Sequence, residues 1–310
     1  MKVSVIIVTY NGMRWMDQCL GSLKESTLSP NIIIIDNASD DETVDYIRKS
    51  LPQADLIASK NNLGFGKANN IGIKKALKEG CDYVFLLNQD AWVDPDTLEN
   101  IIKVHQQHPA YGILSPIHLN KEKTDLDTKF AGFIGRNQNT QFLSDVMLRA
   151  NALKPIYPID FVNAAAWLIS RDCLEKVGGF DPLFPHYGED NDYVQRAKYH
   201  GYQVGFIPTA FIVHDRAGYV KQPDIPRSFP KQYIERLIQL KNIHNSLLRT
   251  FVFLLKDDIY FAISSLLDAD WEMFSIKVKL IRKLIANYPT LRRSRKVSKT
   301  VNTAYLVEEL

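Results

Sequence analysis

The chain of 310 residues is 45% hydrophobic, 24% charged and 11% aromatic, which excludes a disordered or fibrous protein and supplies apolar material for a large core. Thirty-eight Lys and Arg against 35 Asp and Glu leave a formal charge of +3, too near balance for a general nucleic-acid binder. Cys19, Cys81 and Cys173 lie far apart with no CxxC pair, so neither a disulfide framework nor a cysteine zinc site is supported, and a reducing cytoplasm is expected.

Short β-branched runs then alternate with helical patterns, the signature of parallel βαβ units. Residues 3–8 form an apolar run too short, and with too few basic residues, for a signal peptide, and read as a first strand. A helix over 13–25 follows, a strand over 31–35, a polar turn at 36–41, a helix to about residue 50 and a strand near 55–58. A Gly/Asn-rich loop at 61–66 leads into an amphipathic helix ending near residue 78, and 83–87 is a strand running into Asn88, Gln89 and Asp90. Asp94-Pro95 is expected to open the next helix, with Pro in its first turn. Residues 111–119 read as a strand, 120–153 as a loop-rich stretch, 160–170 as a buried strand, 171–177 as a short helix ended by Gly178-Gly179, 189–200 as a helix closed by Gly201, and 202–213 as a strand reaching His214. Beyond about residue 225 the pattern becomes helical, and 271–300 holds nine Lys and Arg against one acid. A boundary near residue 220 divides the chain into 1–220, with a nucleotide-binding half (1–119) and an acceptor half (120–220), and a basic helical segment, 221–310. The most apolar stretch there, 251–267, is interrupted by Lys256-Asp257-Asp258, so a spanning helix is not expected.

In open α/β sheets ligands bind beyond the carboxyl ends of the strands. Thr9-Tyr10-Asn11, Asp36-Asn37, the 61–66 loop, Asn88-Gln89-Asp90, Glu189-Asp190 and His214 all fall at such ends, and are more polar than turns require. Asp36, Ser39 and Asp40 suit a turn and helix cap, yet Asp36 at the tip could also accept a hydrogen bond from the imide N–H of uracil or thymine. The segment from Asn62 to Asn70, with Gly64, Gly66 and Asn69, lets backbone approach a ligand at a helix N-terminus, but matches neither GxGxxG nor GxxxxGK[ST]. Asp90 is either a loop acid preceding a helix or an oxygen ligand for Mg²⁺ or Mn²⁺. Glu189, Asp190 and Asp192 suit a helix first turn, while the aromatic run before them suits a pocket wall from which one carboxylate acts as general base. His214 reads as an ordinary hydrogen-bonded histidine or as a metal ligand.

Taken together, Val8-Thr9-Tyr10-Asn11, Asp36-Asn37-Ala38-Ser39-Asp40, the run from Asn62 to Gly72, Leu87-Asn88-Gln89-Asp90 and Gly188-Glu189-Asp190-Asn191-Asp192 with Arg196 resemble the inverting family 2 glycosyltransferases, especially their rhamnosyltransferase-like branch. Gly178-Gly179-Phe180-Asp181 fits as the segment before the acidic motif. The resemblance spans about residues 3–215 and implies a GT-A, Rossmann-like fold with a mostly parallel sheet. It further implies that Thr9, Tyr10, Asn11 and Asp36 hold base and ribose, that Asn62, Gly64, Asn69 and Asn88 line the donor site, that Asp90 and His214 hold a divalent Mg²⁺ or Mn²⁺, and that Asp190 is the base. Asn88 departs from the family by replacing the first acid of its DxD motif. Glu189, Asp192, Trp167 and Tyr187 are expected around the acceptor. The implied partners are a UDP- or dTDP-linked sugar and a saccharide or lipid-linked saccharide acceptor of cell-surface polysaccharide assembly. Two other readings are a non-catalytic sugar-nucleotide module and a sugar-1-phosphate nucleotidyltransferase; the latter would want a Gly-rich triphosphate loop where Thr9 to Arg14 stand.

The basic tail either packs on the catalytic domain or a second copy, or attaches to the inner face of the cytoplasmic membrane. Trp271, Phe274, Ile276, Val278, Leu280, Ile281, Leu284 and Ile285 would supply apolar surface, and Lys277, Lys279, Arg282, Lys283, Arg292, Arg293, Arg295 and Lys296 would meet anionic lipid.

Overall fold

A computed structural model describes residues 1–135, 140–148, 152–216, 228–301 and 303–306. The elements run β1 (Val3–Thr9), α1 (Met13–Lys24), β2 (Asn31–Asp36), α2 (Thr43–Ser50), β3 (Asp55–Ala58), α3 (Phe65–Lys78), β4 (Tyr83–Asn88), β5 (Ala91–Val93), α4 (Thr97–Gln107) and β6 (Tyr111–Leu119). There follow α5 (Thr128–Ile134), α6 (Thr140–Met147), β7 (Tyr157–Pro158), β8 (Ala166–Ser170), α7 (Arg171–Val177), α8 (Glu189–Tyr199), β9 (Gln203–His214), α9 (Phe229–Lys241), α10 (Leu247–Leu267) and α11 (Trp271–Ser298).

One mixed sheet holds the strands in the order β3-β2-β1-β4-β8-β6-β9-β5, with β7 pairing β9. The ladders β3-β2-β1-β4 and β6-β9 are parallel and carry most of the paired residues, while β8 and β5 enter antiparallel. Helices cover both faces, which is why the first strands are apolar at consecutive positions. Val5, Ile7, Ile32 and Ile34 pack into one core layer, while Ile6, Ile33 and Ile35 point into the other, as the alternation of strand side chains requires. A third cluster joins Phe184 to Leu237, Leu240, Leu254, Leu280, Leu284 and Leu291. It binds the C-terminal helices to the segment preceding α8.

Three expectations need correction, and one strand was not anticipated. The 120–153 stretch contains α5 and α6, two short helices with little periodicity to display. The signal for α5 was its cap, because the Asp127 carboxylate accepts the Lys129 and Phe130 N–H groups. The buried strand begins at Ala166, where pairing with Leu87 of β4 starts, and not at residue 160. Pro95 lies before α4, whose first residue Thr97 donates its hydroxyl to the Phe211 carbonyl at 2.7 Å. β5 has only three residues and takes its strand character from pairing with β9. The expected boundary near residue 220 lies outside the described residues.

Candidate active site

The parallel strands place their carboxyl ends along one edge. At the tips of β1 and β2, Thr9 pairs with Asp36 in the ladder, and its hydroxyl donates to Asp36 Oδ1 at 2.9 Å. Ser39 turns back on the same carboxylate, its N–H reaching Oδ2 at 3.0 Å and its hydroxyl Oδ1 at 2.5 Å. Asp36 is thus buried and oriented by two neighbours, with one lone pair of Oδ2 left over. Asn11, at φ 47°, stitches the two tips together: its N–H donates to Ser39 Oγ and its Oδ1 accepts from the Asp40 N–H, each at 2.9 Å. Tyr10 is exposed, and its backbone is gripped by Gln89, which accepts from the Tyr10 N–H at 2.9 Å and donates to its carbonyl at 3.1 Å. The sequence named Gln89 only within the Asn88-Gln89-Asp90 block and gave it no role of its own.

The loop before α3 is built from asparagines. Asn37 donates to Asn62 Oδ1 at 2.8 Å and accepts from the Leu63 N–H at 2.7 Å, while Asn62 Oδ1 also accepts from the Gly64 N–H at 2.9 Å. Gly64 has φ 79°, and a Cβ there would stand 2.3 Å from the Pro185 carbonyl oxygen, so only glycine allows this loop to touch the segment before α8. Asn69 turns inward to the Phe65 carbonyl at 3.0 Å. Asn70 clasps Phe180 instead, accepting its N–H at 2.7 Å and donating to its carbonyl at 2.8 Å.

At the end of β4 the Asn88 N–H bonds the Ala165 carbonyl at 2.9 Å. Asp90 is 1% exposed, and His214 Nε2 lies 3.4 Å from its Oδ1. Asn88 Oδ1, Asp90 Oδ1 and His214 Nδ1 are all buried with no hydrogen-bond partner. The unmatched oxygens of Asp90 and Asn88 fit a hard divalent cation such as Mg²⁺ or Mn²⁺, with the His214 imidazole facing Asp90 as a nitrogen donor. Ligand atoms of His118, Asp127 and His214 also lie within 4.8 Å of one another. Burial keeps the His118 imidazole neutral, well below its ordinary range, with His214 and Arg216 adding to the effect. Asp127, however, is committed to capping α5 and to an ion pair with Arg216.

The acidic motif opens α8, after Tyr187 (φ 66°) and Gly188 (φ 88°) reverse the chain. Asp190 is partly exposed. Its Oδ1 accepts the Asn191 N–H at 2.8 Å and side-chain amide at 3.1 Å. Burial nevertheless lifts its pKa above the ordinary aspartate range, against the lowering effect of bonds from Asn191 and Ala164. Glu189 is buried with its Oε2 unpartnered, and burial followed by the Asp190 charge pushes it up to about 7. Tyr187 is exposed at this rim.

Two residues expected around the acceptor are not available to it. Asp192 is buried in an ion pair with Arg196 Nε at 2.7 Å, with Lys241 Nζ at 3.5 Å. Trp167 is fully buried between β4 and the Phe180–Tyr193 aromatic cluster. The sequence named both from position, and burial overrules position. Lys241 is the residue it missed: its buried ammonium also pairs with Asp181 at 2.6 Å and donates to Ser294 and Ser298 at 2.5 and 3.1 Å.

A mixed, mostly parallel sheet with Asp36, the asparagine loop and Asp90 with His214 at its strand ends has the GT-A fold of nucleotide-sugar-dependent glycosyltransferases. The chain belongs to glycosyl transferase family 2, whose model matches residues 4–178. It is 24% identical over 237 residues to an N-acetylglucosaminyl-diphospho-decaprenol L-rhamnosyltransferase of Mycobacterium tuberculosis, covering 69% of this chain and 76% of that one. It is also 24% identical over 231 residues to the O-antigen chain rhamnosyltransferase RfbN of Salmonella typhimurium, covering 74% and 71%. Among solved structures, Staphylococcus aureus TarS 1-349 in complex with UDP-GlcNAc superposes with a TM-score of 0.58 at 15% identity, over 96% of this chain and 88% of that one. GalNAc-T7 with UDP, GalNAc and Mn²⁺ superposes with a TM-score of 0.60 at 14% identity, over 100% and 56%.

Proposed function

We propose that the protein transfers a sugar, rhamnose-like in class, from a UDP- or dTDP-linked donor to a saccharide or lipid-linked saccharide acceptor, with inversion at the anomeric carbon. The observation that carries this reading is a continuous wall: the donor loop at Gly64 touches Pro185, and Asp190 leads back through Ala164 to the end of β4. Its rhamnosyltransferase relatives support the choice of donor and acceptor class.

Asp36, held by Thr9 and Ser39, offers its spare lone pair to the imide N–H of the base. Tyr10, fixed by Gln89, flanks the nucleoside, and the Asn62–Gly64 loop lies against the sugar nucleotide. Asp90 and His214 would hold a divalent cation, Mg²⁺ or Mn²⁺, which when bound neutralises charge on the departing diphosphate. Asp190 accepts the proton of the acceptor hydroxyl. That oxygen forms a bond to the anomeric carbon as the bond to the diphosphate breaks, and the electron pair leaves with the nucleoside diphosphate. One displacement inverts the centre and needs no covalent nucleophile. Burial suits Asp190 to this task, since a raised pKa makes it a stronger base. We read the reaction as taking place at a membrane surface, a reading that the basic composition of the C-terminal segment supports.

Asp190→Asn tests the assignment. Donor affinity and melting temperature should stay near parental values while turnover falls about 10²–10⁴-fold, the usual contribution of a positioned base. Turnover of the folded fraction at the parental rate would remove Asp190 from that role.

A further inference from the structure

The C-terminal helices do not present the surface that their sequence suggests. In α11, Leu280, Leu284 and Leu291 are buried against α9 and α10. Lys277 is buried in an ion pair with Asp258 at 2.8 Å, and Arg295 donates to the Leu240 and Asn242 carbonyls, both at 2.6 Å. The uncovered apolar face belongs to α10. Val252, Phe253, Ile259, Tyr260, Ile263 and Leu267 recur three, four and seven residues apart along one side and are between 40% and 80% exposed. The acids that interrupt this stretch in sequence do not interrupt the face. Asp258 is buried and binds Arg236 and Lys277, and Asp257 pairs with Arg236. Lys256 is the charged residue left among the exposed positions at the helix centre.

Beside the N-terminal end of α10 lies a groove of about 850 Å³, walled by Tyr288, Arg292, Arg293, Lys296 and Lys299 and containing no acidic residue. Arg292, Arg293 and Lys296 are exposed. A large exposed apolar face rimmed by charge marks an interaction surface. No helix among the described residues is long and apolar enough to cross a membrane.

We propose that α10 lies in the plane of an anionic phospholipid surface, its Phe253–Tyr260–Leu267 side among the acyl chains and the Arg292–Arg293–Lys296 groove on the lipid phosphates. This deepens the reading above, because a lipid-linked acceptor is presented at that surface. Apolar burial supplies one attachment and the basic groove the second, the combination that stable interfacial binding requires.

Sedimentation with vesicles of phosphatidylcholine, with and without phosphatidylglycerol, tests it on the full chain. The parent should bind the mixed vesicles and leave the neutral ones, with affinity falling as salt rises. Phe253→Ser with Leu267→Ser should weaken binding about tenfold or more. Arg292→Gln, Arg293→Gln and Lys296→Gln together should do likewise and flatten the salt dependence. All five positions are exposed, so unchanged melting temperatures would verify the fold. Equal binding by the parent and both variants, or no binding by the parent, overturns the proposal. A parental dimer that Phe253→Ser with Leu267→Ser converts to monomer overturns it in favour of an interface between copies. Failure of sugar transfer to both soluble and detergent-solubilised lipid-linked saccharides would strike at the enzymatic reading alone, leaving the vesicle result standing.

Discussion

Glu189 and Asp190 are neighbours in sequence and opposites in circumstance. Asp190 has hydrogen-bond donors and an opening to solvent, whereas Glu189 is buried with an unpartnered oxygen and is pushed up to about 7. Since its folded value exceeds the ordinary 4.5, the folded state holds a proton that the unfolded chain releases, and stability falls as pH rises through that window. Glu189→Gln should therefore gain stability relative to the parent between pH 4 and pH 8, by up to about 3 kcal/mol. Urea unfolding of both proteins at the two pH values measures this, and an unchanged difference would mean that Glu189 is ionised in the fold. Asp90→Asn makes the complementary case, keeping shape while removing charge. Titration calorimetry should find Mn²⁺-dependent nucleoside diphosphate binding weakened about tenfold or more, with nucleoside binding unaltered. An unchanged metal dependence would relocate the cation to the His118–His214 side. Which residues stand at strand ends was legible in the sequence, because apolar runs ended abruptly in polar groups. Whether such a residue faces solvent was not: Asp192 and Asp190 differ by two positions on one helix, and only packing against Lys241 and Arg196 distinguishes them.

Helix α8 owes its placement to other elements. Arg196 donates to Asp192 at 2.7 Å and to the Val177 and Gly179 carbonyls at 2.7 and 2.6 Å, and Lys241 of α9 joins Asp181 to Asp192. Lys241 keeps its proton because the two carboxylates outweigh the burial that opposes its charge. Removing one partner of such a buried set costs more than the set itself contributes, typically about 3–5 kcal/mol. Lys241→Met should therefore lower stability by that amount. Truncation before α11 should fare worse, since it also uncovers Leu237, Leu240 and Leu254. A truncated chain with parental donor affinity and a cooperative melt would show that α11 is dispensable to the core. The composition shift toward basic helices was plain in the sequence, but whether α11 packs on the catalytic domain or a second copy, or faces lipid, was left open there. Its apolar stripe is internal, and the burial partner of a stripe is a fact of three dimensions that periodicity does not carry.

Across the whole molecule, the parallel half with its alternating β-branched runs was the most legible part, because both of its faces are covered and its strands are correspondingly apolar. The antiparallel strands β5 and β7 and the helices α5 and α6 were not, being short and dependent on distant partners. The same dependence governs the chain's last described residues. Gly179 donates to the Ala304 carbonyl at 2.8 Å, Asn70 reaches the Tyr305 carbonyl at 3.2 Å, and Leu306 enters the main core. A Cβ on Gly178 would meet Ala304 backbone oxygen at 2.2 Å, so the contact is fitted backbone to backbone. Folding on the ribosome proceeds from the N-terminus. The nucleotide half can therefore assemble while the loop before α8 still lacks its clasp, and that clasp closes only when residues 304–306 have emerged. Asn70 of α3 waits on the same segment, so residues 304–306, made after both, lock the loop before α8 and the helix after the asparagine loop together.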